Sequence, residues 1–99
     1  MEYKIKQITN YDTCDYKFDW WKFAQDKFNL EKDYSTVYEG ELEVEDETDT
    51  VGILEKLFYI FNMKHPEDFK GHSLSTSDII ILNDDSMWFC DSYGWQELE

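Results

Sequence analysis

The sequence predicts an α+β domain, a mixed or antiparallel sheet in the order β-α-β-α-β-β covered by two helices. Three observations lead there. The chain opens on period-two alternation, switches twice to helical spacing, and closes on two short apolar runs separated by a polar loop. A change of period between 2 and 3.6 marks a change from strand to helix. Its 99 residues suit one core, so residues 1–99 are read as a single domain. Seven Phe, seven Tyr and four Trp supply large side chains, which a chain this short needs to bury enough surface.

Tyr3 and Ile5 alternate with Glu2, Lys4 and Lys6, which predicts a first strand ending near Ile8. Residues 9–13 are turn chemistry. From about 18 to 28, Trp20, Trp21, Phe23, Ala24 and Phe28 have helical spacing, with Asp15 or Asp19 available as a cap and Asn29 as a stop. Residues 34–44 read as a second strand. There Thr36, Tyr38, Gly40, Leu42 and Val44 share one parity, and Glu39, Glu41, Glu43 and Glu45 the other. Thr48, Asp49 or Thr50 can cap a second helix over about 51–62, with Val51, Leu54, Leu57, Phe58 and Phe61 as its apolar face. Pro66 suits the first position of a short helical turn that Gly71 can close. The run 79–82 suits a central strand with both faces covered. Residues 83–86 form a hairpin loop, 87–90 return as the next strand, and Tyr93-Gly94-Trp95 turns into a short tail. Leu54, Leu57, Phe58, Phe61, Ile79, Ile81 and Leu82 form the expected core.

Two cysteines, Cys14 and Cys90, make neither a disulfide framework nor a metal pair and read as small core residues. No cleavable signal opens the chain and no run reaches the roughly 18 apolar residues of a membrane span. A cytoplasmic setting follows as the expectation. Twenty-three acidic against nine basic residues give a net charge of −14. That field repels polyanions, so direct binding to nucleic acid or to an anionic membrane is disfavoured and a basic protein surface favoured.

The acid is concentrated. Seven of the eleven residues 39–49 are acidic and none is basic: Glu39, Glu41, Glu43, Glu45, Asp46, Glu47 and Asp49. On a strand, residues two apart stand on one face about 6.6–6.8 Å from each other. DNA carries a phosphate about every 3.4 Å along each strand, so such a row approximates every second phosphate in projection. Like charges so placed repel, and folding gains nothing from them. Two readings follow. One is an edge strand charged against unwanted sheet pairing; the other is a mimic of nucleic acid offered to a basic groove. Glutamates in a row lack the loop geometry of calcium sites, and no metal or cofactor is expected.

His65 and His72 are seven apart, outside the spacing of a zinc pair. His72 near Ser73, Ser75, Ser77 and Asp78 invites a Ser-His-Asp reading, but no nucleophile-elbow pattern accompanies it. Turn-forming Ser and Asp side chains entering the strand at Ile79 explain the same residues structurally. No catalytic residue is assigned.

At this segment the chain resembles a family. Phe61-Asn62, the run His65-Pro66-Glu67-Asp68-Phe69-Lys70-Gly71-His72-Ser73-Leu74-Ser75, then Ser77-Asp78-Ile79-Ile80 and Cys90-Asp91-Ser92-Tyr93-Gly94-Trp95 look like the YodL-like family. The likeness covers about 38–98, and the opening Tyr3-Lys4-Ile5 also fits. It implies an α+β fold and an origin on Firmicute conjugative elements or phages, where such domains often sit inside larger polyvalent proteins. It supplies no catalytic mechanism. Its polar residues suit structure: Ser73 and Ser77 can satisfy backbone groups, Asp78 can fix the strand entry, and Gly94 can take a positive φ. The dense acid row after Gly40 departs from the family pattern.

Two functions are therefore expected to compete. The first is an inhibitor of a host nucleic-acid-binding defence enzyme, such as a CRISPR effector or a restriction enzyme, whose basic groove takes Glu39, Glu41, Glu43 and Glu45 helped by Asp46, Glu47 and Asp49. The second is a generic protein-interaction module using exposed aromatics such as Trp20, Trp21, Trp88 or Trp95. An enzyme centred on His72 and Asp78 trails both.

Overall fold

A computed structural model describes residues 1–83, 85–91 and 94–98. Five strands, β1 (Glu2–Ile8), β2 (Tyr34–Glu41), β3 (Ile79–Leu82), β4 (Ser86–Asp91) and β5 (Gly94–Leu98), form one sheet in the order β2-β1-β3-β4-β5. Every neighbouring pair is antiparallel. The fold is α+β as expected, with a fifth strand where a tail was foreseen. Gly94 opens that strand at φ +132°, a conformation that costs glycine little. Part of the expected 83–86 loop, at Asp84, and part of the Tyr93-Gly94-Trp95 turn, at Tyr93, lie outside the described residues.

The sheet separates two cores because side chains alternate across it. Tyr3, Ile5, Ile80 and Leu82 face α3 (Thr50–Met63), which buries Ile53, Leu54, Leu57 and Phe61, with Phe69 and Leu74 closing the cluster. Ile8, Tyr34, Ile79 and Phe89 face the other way, onto Cys14, Tyr16 and Ala24. Asp49 caps α3 by accepting the Gly52 N–H at 3.1 Å. The helix face is rotated from the expected one: Val51 is exposed and Phe58 half-buried, whereas Ile53 is buried. Ile81 is likewise only partly buried, so two residues of the expected core stand at its margin.

The first expected helix contracts to one single turn, α1 (Trp21–Ala24), and a second single turn, α2 (Leu30–Asp33), follows beyond its expected end. Neither Asp15 nor Asp19 caps α1; its N-cap is Trp20, which makes no side-chain cap bond. Asn29 starts α2, accepting from Lys32 N at 3.0 Å, where it was expected to stop a helix. Only part of the apolar set faces the sheet. Trp21 packs on Phe28 and Phe89 at 5.2 and 5.0 Å between ring centroids, and Ala24 is fully buried. Trp20 and Phe23 are exposed. The sheet is thus covered by one long helix on one face and by an irregular segment on the other, not by two helices. The helical turn expected after Pro66 is a plain turn, closed by Phe69 N to Pro66 O at 3.1 Å.

Candidate functional site

The acid-rich segment begins on β2, an edge strand of the sheet. Lys6 pairs with Thr36 but Ile5 pairs with Tyr38, so Val37 is an extra residue, a bulge. The bulge resets the side-chain phase. Thr36 therefore stands on the opposite face from Tyr38 and Gly40, contrary to the uniform parity expected. It lets Tyr34 enter one core and Tyr38 border the other. Beyond the bulge, Glu39 lies opposite Lys4 and Glu41 opposite Glu2. Glu39 reaches Lys4 Nζ at 3.5 Å.

The strand ends at Glu41, so the expected straight row of four carboxylates is two residues long on β2 and then continues on irregular backbone. Met1 carries it a step further: its carbonyl accepts Leu42 N at 2.8 Å and its ammonium donates to the Leu42 carbonyl at 2.9 Å. Leu42 and Val44 pack on the α3 core while Glu43, Glu45 and Glu47 stay exposed. Alternation thus outlasts the strand because Leu42 and Val44 still have a core to enter. The acids gather into two groups. Glu41, Glu43 and Glu47 line one hollow beside Met1; Glu45, Asp46 and Asp49 line another beside Lys56.

Two of the seven acids hold the backbone of the loop and of the helix end that follow β2. Asp46 accepts from Thr48 N at 2.9 Å and Thr48 Oγ1 at 2.5 Å, bonds that hold its carboxyl below the usual range. Asp49 serves the helix end, where the dipole also favours a negative charge. The five glutamates form the exposed rim, and of them Glu39 also pairs with Lys4 on β1.

A second polar group lies where β1 meets the 71–78 segment. Asp78 is buried, and its Oδ2 accepts from Ser75 N at 2.9 Å and Gln7 Nε2 at 3.1 Å. Burial pushes its carboxyl up to about 7, against the lowering pull of those two bonds. Its Oδ1 has no hydrogen-bond partner and stands 3.9 Å from His72 Nε2. The Ser73 carbonyl takes His72 Nδ1 at 2.7 Å, leaving Nε2 for the Tyr11 hydroxyl. So the structure does bring His72 and Asp78 together. Ser77 does not complete the arrangement, since its Oγ donates to the Tyr16 and Asp19 carbonyls at 3.2 and 3.3 Å.

The role of these residues is legible in their bonds. Ser77 is held at φ +86° by those contacts, by Tyr34 Oη on its carbonyl at 2.6 Å, and by its own N–H on Cys90 O at 2.9 Å. Such backbone persists only where the surroundings over-determine it. Ser77 ties the 16–19 loop to the sheet and Asp78 fixes the entry to β3. Gly71 belongs to the same junction, since a Cβ there would collide with Gln7 and with the Phe69 ring. Gln7 and Tyr11 were not singled out from the sequence. Gln7 shares the parity of Tyr3 and Ile5, so a polar residue on the apolar side of β1 was the signal that could have marked it.

A third feature is an exposed aromatic group, Phe18, Trp20 and Phe23. Phe18 adopts φ +62° and stacks on Tyr11 at 5.2 Å, and Lys22 Nζ lies 5.3 Å over the Phe23 ring. Trp21, Trp88 and Trp95 are partly buried, so of the four tryptophans only Trp20 stands exposed. Cys14 and Cys90 are free and buried, as expected. Among the described residues no group of three His, Cys, Asp or Glu could hold a metal ion, and no helix is long and apolar enough to cross a membrane.

A five-stranded antiparallel sheet backed by one helix, with a glutamate-lined edge, defines the class: a small α+β domain with an acidic rim. The chain belongs to the YodL-like domain family, whose model matches residues 2–99. Comparison with curated proteins and with solved structures yields no match.

Proposed function

We propose that this chain is a binding protein that presents Glu39, Glu41, Glu43, Glu45 and Glu47 to a basic groove of a partner protein, in place of nucleic acid. The observation that carries the reading is the exposure of all five carboxylates, while Tyr38, Leu42 and Val44 between them turn to the core. Asp46 and Asp49 hold the loop and helix end that follow, and so shape the rim without being its main contacts. A nucleic-acid-binding defence enzyme of a bacterial host, of the CRISPR-effector or restriction type, has the groove this rim fits. The protein then acts in the cytoplasm, on behalf of a mobile element or phage, without catalysing a reaction.

The test is Glu41→Gln, Glu43→Gln and Glu45→Gln combined. Gln preserves shape and strand pairing and removes three charges. Loss of rim charge slows association first, and any fully desolvated pair adds about 2–5 kcal/mol. Binding to, or inhibition of, basic nucleic-acid-binding enzymes is measured beside the parent at equal melting temperature. Unchanged binding at low salt overturns the mimic and leaves the acids as protection of an exposed sheet edge.

A second reading rests on Phe18, Trp20 and Phe23, which are 53%, 39% and 58% exposed. Aromatic side chains clustered at a surface are the usual anchors of protein interfaces. If this group is the contact, Trp20→Ala abolishes binding and the Gln triple leaves it intact.

A further inference from the structure

The irregular segment containing α1 and α2 covers only one end of its sheet face. It packs on Ile8, Ile79 and Phe89. Two residues along each strand, the next cross-strand row is Glu39, Lys4, Ile81, Met87 and Leu98, each directly paired with the next across β2, β1, β3, β4 and β5. Ile81, Met87 and Leu98 are only partly buried. Beyond them Glu2 and Glu41 face each other across the β1–β2 pair, both exposed. Like charges directly opposite on a sheet destabilise it, and a cation between them reverses the sign. Glu2, Lys4, Glu39, Glu41 and Ile81 line a hollow of about 340 Å³ at this corner. The row thus runs from an acidic hollow that ends at Ile81 to the partly buried apolar side chains of Met87 and Leu98 on β4 and β5.

We propose that this groove docks an amphipathic basic helix of the partner, with Lys or Arg side chains between Glu2, Glu39 and Glu41 and apolar ones over Ile81, Met87 and Leu98. The proposal rests on the acidic-rim reading and names what the rim binds. The opposite face of the sheet is already covered by α3, and a helix is the element that completes a second layer on an open sheet face. Charge selects the occupant: Glu2, Glu39 and Glu41 against the single Lys4, which pairs with Glu39 at 3.5 Å, leave this end net acidic and favour cations, and the apolar row beside them favours a residue with no charge. Length agrees too. Four inter-strand steps of about 4.8 Å make the groove about 19 Å long, or about thirteen helical residues. The distance from Glu39 to Ile81, about 10 Å, is about two helical turns. The fitting sequence thus has basic residues on adjacent turns at one end and apolar ones two and three turns further along the same face.

Two probes separate the groove from the charge. One is a helical peptide with that spacing of Lys and Leu; the other is hexalysine. Binding of each is measured by titration calorimetry to the parent, to Met87→Gln, and to Glu2→Gln with Glu41→Gln. Met87→Gln weakens the helical peptide about five- to tenfold, as loss of one apolar contact does, and leaves hexalysine unchanged. The double Gln variant weakens both. If Met87→Gln lowers the melting temperature, Leu98→Gln takes its place and Met87→Leu must restore parental affinity. Equal binding of the helical peptide by parent and Met87→Gln overturns the groove, while a response of hexalysine to the double variant still upholds the acidic rim. No response of either probe to Glu2→Gln with Glu41→Gln overturns both.

Discussion

Asp78 has the buried carboxyl of this chain that its environment does most to alter. Its folded value of about 7 stands above the roughly 4 of an unfolded aspartate. Between those values the unfolded chain releases a proton that the folded chain keeps. Stability is therefore full below about 4, falls as the pH rises through about 7, and is level above. Asp78→Asn keeps an acceptor for Ser75 N and Gln7 Nε2 and removes this dependence. Denaturation midpoints at pH 5 and pH 8 should show the variant gaining on the parent at the higher pH. Equal gaps at both would mean Asp78 ionises at its ordinary value. Core aromatics make a second pair of expectations. Phe61 is fully buried against Tyr3, Tyr38 and Phe69, so Phe61→Ala should cost about 3–5 kcal/mol. Phe58 is half-buried beside Trp95, 6.3 Å away, and its truncation should cost clearly less by urea unfolding.

At the scale of elements, α3 and β2 show how acids divide between structure and surface. The Asp49 cap should be worth about 0.5–2 kcal/mol. Asp49→Ala should lose that amount in thermal unfolding, whereas Asp49→Asn retains a cap acceptor and should lose little. The glutamate triple should behave oppositely, holding or slightly raising the melting temperature while binding falls. Repulsion along an exposed row is relieved when its charges go. The bulge at Val37 is the device that makes both cores possible. Without it, Tyr34 and Tyr38 would share one face, and one of the two clusters would lose the tyrosine that β2 supplies to it.

Across the whole molecule, a net charge of −14 means that association with a basic partner is fast at low salt and slows steeply as salt is added. Screening shortens to about 8 Å at 0.15 M, so carboxylates on the rim act singly there and together in dilute buffer. The on-rate measured across that range should fall by more for the parent than for the glutamate triple. A flat salt profile would point to the aromatic group at Phe18, Trp20 and Phe23 as the contact.

Sequence alone determined what short-range chemistry decides. The alternation of β1, the apolar run 79–82, the hairpin return after it and the capped helix after Asp49 each express a local period or a local hydrogen bond. The family was legible in the run from His65 to Ser75, because those residues are contiguous in the chain. Tertiary structure decided the rest. The helix expected over 18–28 gave way after one turn because Trp21, Ala24 and Phe28 meet the sheet, while Phe18 stands at φ +62° against Tyr11. The acid row left the strand after Glu41, where Leu42 and Val44 turn to the α3 core, and parity switched at Val37, which puts Tyr34 in one core and Tyr38 beside the other. Gln7, Tyr11, His72 and Asp78 met only on folding, across as many as 71 residues of chain. Periodicity records which side of a strand a residue takes; which strands are neighbours is settled by packing, and no single segment carries that information.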